Sequence, residues 1–138
     1  MYKFNMVEIH GWLVIRATYL DEDKHPEIDE DAVYSEVNRI VAEVKHNDIA
    51  IKVRNGLLVI DFLLHSNHKT IETDELLDTF TRIAQTATGS YGMLYYLNDD
   101  DLDKCNEFDV LVARKGQVEW KKDEFFSPIS QMIEDNES

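Results

Sequence analysis

The densest group of potential ligands in this chain is Asn98-Asp99-Asp100-Asp101-Leu102-Asp103. Alternating carboxylates in a short loop are what calcium takes. An EF-hand loop begun at Asp99 has carboxylates at its first, third and fifth positions. Lys104 then stands at the sixth, where the loop turns on Gly, and Val110 at the twelfth, where a bidentate Glu is needed. Each departure removes something the coordination geometry requires, so the run is read as a solvated loop or a protein-binding surface, and no metal is expected. The histidines are His10, His25, His46, His65 and His68. His65 and His68 are close in sequence, but Cys105 is the lone cysteine and no paired-cysteine spacing supports zinc. Asp61 and His65 share a strand face, too far apart for contact unless a third strand intervenes. No Gly-x-Ser-x-Gly nucleophile motif and no glycine-rich phosphate loop is present. No catalytic residue and no cofactor is therefore expected, and the chain is not read as an enzyme. Tyr91, Tyr95 and Tyr96 have the residue type of a base-stacking platform, with cross-strand packing as the plainer reading.

Charge decides between those two readings of the tyrosines. The 138 residues carry 14 Lys and Arg against 28 Asp and Glu, a formal net charge of -14. Nucleic acid and acidic membrane surfaces both want a basic face, so direct contact with either is disfavoured. A basic protein partner is favoured. One cysteine excludes an intrachain disulfide and fits a reducing compartment. Met1 to Asn5 lacks the apolar core of a signal peptide, and no run of 18 apolar residues exists. The expectation is a cytoplasmic protein, monomeric when free.

The elements that must position these residues follow from periodicity. Glu8 to Ile15 is β-forming and apolar on both faces, which predicts a central strand covered above and below. Gly11 beside Trp12 predicts a bulge or a close approach to the backbone. Asp21-Glu22-Asp23 and Glu27 to Asp31 form an acidic loop broken by Pro26. From Asp31 to Asn47, Val33, Tyr34, Val37, Ile40, Val41 and Val44 repeat at helical spacing, with Asp29 or Asp31 as cap. Ile49 to Arg54 alternates, Asn55-Gly56 is a hairpin signal, and Leu57 to Ser66 returns as a second central strand. Thr73 caps a second helix over Asp74 to Thr88, ended by Gly89. Strands follow at Ser90 to Leu97, Phe108 to Arg114 and Gln117 to Lys121, the last two joined by Lys115-Gly116. Residues after about Pro128 are expected to be irregular. The order is β-α-β-β-α-β-β-β. It predicts one α+β domain over residues 1–138, with a single mostly antiparallel sheet and both helices on one face.

His10-Gly11-Trp12 on an N-terminal strand, followed far downstream by Trp120-Lys121-Lys122-Asp123, Ser127-Pro128 and Ile133-Glu134-Asp135, resembles the immunity protein 7 family of bacterial polymorphic toxin systems. The resemblance spans most of the chain. It implies an α+β protein, made beside a toxin gene, that neutralises the toxin in the producing cell or its kin. His10, Gly11, Trp12, Trp120, Asp123 and Pro128 are the signature positions and are expected to be structural, with Trp12 and Trp120 in apolar surroundings.

The expected partner is a cognate secreted toxin domain, and the acidity points to one with a basic cleft, such as a nuclease. Asp99, Asp100, Asp101 and Asp103 beside Tyr95 are the first candidates for contact, and Asp21, Glu22 and Asp23 the second. The competing readings are another acidic adaptor or a DNA mimic, and then a small-ligand binder or an enzyme with a pocket over the sheet.

Overall fold

Val7, Ile9, Leu13 and Ile15 alternate with Glu8, His10, Trp12 and Val14, and that period of two assigns the two sets to opposite faces of a strand. In the computed structural model, which describes residues 6–45, 48–99 and 106–128, this strand is β1 (Val7–Ile15). The remaining elements are α1 (Glu30–Ala42), β2 (Ile49–Arg54), β3 (Leu57–Ser66), α2 (Ile71–Thr86), β4 (Tyr91–Asn98), β5 (Asp109–Arg114) and β6 (Gln117–Lys122). The strands form a 6-stranded sheet in the order β2-β3-β1-β4-β5-β6, with every pairing antiparallel. The α+β architecture and element order are those the periodicity predicts.

Both helices cover the odd-numbered face of β1. Val7, Ile9, Leu13 and Ile15 join Ile60, Phe62 and Leu64 of β3 and Leu94 of β4 in one buried cluster. Val37 and Ile40 of α1 and Leu76, Phe80, Ile83 and Ala84 of α2 close it from above. Phe62 meets Phe80 edge to face at 5.4 Å, an arrangement that the ring quadrupoles favour. The two helices are also tied at the surface, where Glu43 accepts from Arg39 of α1 at 2.6 Å and from Arg82 of α2 at 2.8 Å.

Local chemistry sets the boundaries. Asp29 accepts from the Ala32 N–H at 3.0 Å and caps α1, and Glu30 and Asp31 suit the positive end of its dipole. The helix stops at Ala42, short of the Asn47 that periodicity suggests, because Val44 lies past the last turn with its N–H on the Val41 carbonyl. α2 begins earlier than expected. Thr70 is its cap and Thr73 is three residues in, its hydroxyl accepting from the Thr70 N–H at 3.2 Å. Ala87 ends α2, and the Gly89 N–H is used instead to reach the Arg16 carbonyl at 3.1 Å. The Asn55-Gly56 turn has φ of 52° and 76°, the left-handed pair of a tight hairpin.

Gly11 makes no bulge, since β1 runs in unbroken register with β3 and β4. It serves close approach: a Cβ there would stand 2.9 Å from the Leu94 Cβ. Gly92, which pattern alone does not explain, is tighter still. A Cβ on it would fall 1.9 Å from the Trp12 carbonyl oxygen.

Candidate partner-binding surface

The even-numbered face of β1 carries no helix among the described residues, which corrects the expectation of a strand covered on both sides. Trp12 is 42% exposed, so it is not a core residue. Register places its neighbours. Asp61 of β3 and Met93 of β4 lie opposite Trp12, Leu63 and Tyr95 lie opposite His10, and Tyr91 lies opposite Val14. Val112 of β5 continues the row beyond Met93, and Val110 the row beyond Tyr95. Directly opposed residues on antiparallel strands point to the same side. An apolar stripe of Trp12, Tyr91, Met93, Tyr95 and Val112 thus lies on a face that no helix of the described residues covers, with Leu63 to one side, while Leu97 and Val110 at one end of the same face are buried.

The stripe is ordered by its own contacts. Trp12 and Tyr91 stand edge to face at 6.2 Å and 87°. Tyr95 packs on Phe108 at 5.9 Å, and Phe108 on Phe126 at 6.1 Å. Glu8, His10, Tyr95, Phe108 and Phe126 line a shallow hollow of about 430 Å³ at that end. Charges on the face pair with one another: Lys52 with Asp61 at 3.6 Å, and Lys121 with Glu119 at 3.2 Å. One oxygen of Glu8 lies 3.1 Å from His10 Nε2 and 3.2 Å from His65 Nε2, so β1 gives His65 a carboxylate partner other than Asp61, which pairs with Lys52.

Asp123 builds the adjoining corner. Its carboxylate accepts from the N–H groups of Phe125 at 3.0 Å and Phe126 at 3.1 Å and from the Ser127 hydroxyl at 2.9 Å. Ser127 Oγ in turn accepts from the Phe108 N–H at 2.8 Å, and the Ser127–Pro128 bond is cis. Burial pushes the Asp123 carboxyl up, but these hydrogen bonds outweigh it and hold it below its ordinary value. The knot leaves Phe125 and Phe126 exposed beside Phe108.

The remaining sequence-derived candidates divide. Asp99 is buried, at 3% exposure, with its N–H on the Met6 carbonyl, so it is not part of an exposed acidic rim. Asp100, Asp101, Asp103 and Cys105 lie outside the described residues, as do the residues after Pro128. Asp21, Glu22 and Asp23 are exposed in a turn, with the Asp21 carboxylate accepting from the Asp23 N–H at 3.0 Å. A side-chain hydrogen bond with Glu22, and after it the nearby negative charge, raise the Glu30 carboxyl above its ordinary value. Trp120 lies on the helix-bearing face at the β6 edge, half exposed and tilted against Tyr96 at 6.0 Å. Sequence reasoning missed Met93 and Leu63 and assigned Tyr91 to packing. Their alternation was visible, but whether a face is covered is not a property of one strand. No group of three or more His, Cys, Asp or Glu side chains suited to a metal ion occurs among the described residues. None of their helices is long and apolar enough to cross a membrane.

The family model for immunity protein 7 matches residues 6–135, nearly the whole chain. The chain belongs to that family. The match contains β1 with His10-Gly11-Trp12 and the Asp123 knot, so both ends of the resemblance fall inside it. No curated protein and no solved structure matches.

Proposed function

We propose that this chain neutralises a cognate secreted toxin domain by binding it stoichiometrically and occluding its working surface, without turnover. The observation that carries this reading is the immunity protein 7 match over residues 6–135, since a member of an immunity family has a toxin as its partner. The finer reading is that the toxin domain is basic, as nucleases that grip phosphate are. A charge of -14 supports it, and so does the run of exposed carboxylates at Asp21, Glu22 and Asp23. Long-range attraction draws a cationic surface toward such a run. Asp21, Glu22 and Asp23 then act as a steering surface, raising the rate of encounter.

The test uses the toxin C-terminal domain encoded beside this gene, inactivated at its catalytic residue for binding work. Calorimetry should return a 1:1 complex, and the active toxin should be silenced only as one equivalent is approached. Silencing far below one equivalent would refute occlusion. The variant Asp21→Asn/Glu22→Gln/Asp23→Asn should associate roughly tenfold more slowly at low salt, with the gap closing as salt rises. An unchanged association rate at low salt would remove these residues from the encounter.

A further inference from the structure

On the reading that a toxin domain is the partner, we infer that it docks on the helix-free face of the sheet, with Trp12, Tyr91 and Met93 as its central anchors. A six-stranded sheet has two faces to bury, and the helices take one. What remains is not an ordinary polar surface. Trp12, Leu63, Tyr91 and Met93 are exposed by 42, 59, 44 and 39% and are neighbours in register. Exposed apolar groups scattered singly mean little, whereas a contiguous patch with a polar border marks an interaction site. Residue type points the same way, because Trp and Tyr are enriched among binding hot spots and charge is depleted at interface centres. Here the centre is uncharged, and the bordering Lys52–Asp61 and Lys121–Glu119 pairs neutralise each other. The rings are already held edge to face, so little freedom is lost when they are covered.

Charge selects the occupant. A second copy of this chain would bring another -14 to the same place and be repelled, whereas a basic toxin is drawn in. The acidic turn is well placed to help. Tyr19, two residues before Asp21, lines a hollow at the β5–β6 end of this same face together with Val112, Gln117 and Glu119 and the cations Arg114, Lys115 and Lys121. Tyr19 thus brings the segment that leads into the acidic turn to the edge of this face, where desolvation of the apolar anchors supplies the central contact.

The experiment titrates the inactivated toxin domain into the full chain and into Trp12→Ala, Tyr91→Ala and Leu63→Ala. Controls are Ile71→Ala and Val53→Ala, exposed apolar residues off this face at 83 and 64% exposure. Trp12→Ala and Tyr91→Ala should each weaken Kd by about thirtyfold or more, the change expected of a hot spot. The controls should stay within about threefold, as near-neutral positions do. Leu63 is the most exposed of the face residues tested, so its variant tests the patch even where an aromatic truncation lowers stability, and thermal melts run in parallel report folding. Hydrogen exchange of the wild-type complex should slow in β1 and β4 and leave the exposed face of α1 unchanged. Wild-type affinity in a well-folded Trp12→Ala/Tyr91→Ala chain, or losses confined to the controls, would overturn the docking face while leaving the toxin partnership intact. A wild-type chain that does not bind the toxin at all would overturn the partnership, and the docking face with it. Sedimentation showing a dimer that Tyr91→Ala dissolves would give the face to a second copy and overturn the toxin as its occupant.

Discussion

Replacing Trp12 by Ala separates a core residue from a contact residue, because the two roles predict different costs. A fully covered Trp buries on the order of 250 Å². With 42% of Trp12 exposed, a little under three-fifths is covered, on the order of 140 Å² on that scale. Alanine retains part of that, leaving roughly 110 Å² lost, or about 2.8 kcal/mol at ~25 cal/mol per Å². Compactness of the unfolded chain trims such sums by roughly a quarter, to about 2 kcal/mol. Loss of the edge-to-face contact with Tyr91 adds ~0.5 kcal/mol. No cavity term follows, since water fills the space. Phe80 is the contrast: it is fully buried against Phe62, and Phe80→Ala should cost about 4 kcal/mol because a void remains. Urea melts with a shared m-value should therefore show Trp12→Ala at about 2.5 kcal/mol and at least ~1 kcal/mol milder than Phe80→Ala. Against a typical stability of roughly 5–15 kcal/mol, the Trp12 variant stays folded and usable in binding work. A cost for Trp12→Ala equal to or above that of Phe80→Ala would mean that the face is covered in solution, and the docking argument would lose its premise.

Other outcomes follow from single geometries. Gly92→Ala places a Cβ against the Trp12 carbonyl, backbone that cannot swing aside, so β1 and β4 must separate; a loss of at least about 2 kcal/mol is expected by chemical denaturation, and a neutral result would refute the close approach. Gly56→Val forces a β-branched residue into φ of 76° and should cost about 1–3 kcal/mol in the same assay. Asp123→Ala removes three hydrogen bonds to a carboxylate and should cost about 2–3 kcal/mol near neutral pH. The folded-state carboxyl of Asp123 is depressed, so its contribution is complete above the ordinary Asp value of about 3.9 and fades as pH falls through the lower folded value. Melts from pH 7 down to 2 should therefore show wild type and Asp123→Ala converging at the acid end, and a constant gap would refute the charge-assisted role.

The sequence by itself determined the elements and their order. Local rules suffice for that: a period of two at Val7 to Ile15, a helical period at Val33 to Val41, and left-handed residues at Asn55-Gly56 and Lys115-Gly116. It also determined the family, because His10-Gly11-Trp12 and the Trp120 to Pro128 segment keep their order along the chain. What it could not determine was coverage. Trp12, Tyr91, Met93 and Leu63 are apolar residues on strands, and an apolar residue has the same letter whether its face meets a helix, a partner or water. Only the placement of both helices over Ile9, Leu13 and Phe62 shows that, among the described residues, Trp12, Tyr91, Met93 and Leu63 stay exposed on the opposite face. Asp99 shows the converse, a carboxylate in an acidic run that the chain's return past Met6 buries. Asp123 reads as one more surface acid until the turn after β6 folds its N–H groups and a hydroxyl onto it. Periodicity reports which residues share a face, and the three-dimensional packing of distant elements decides which face the solvent, or a partner, receives.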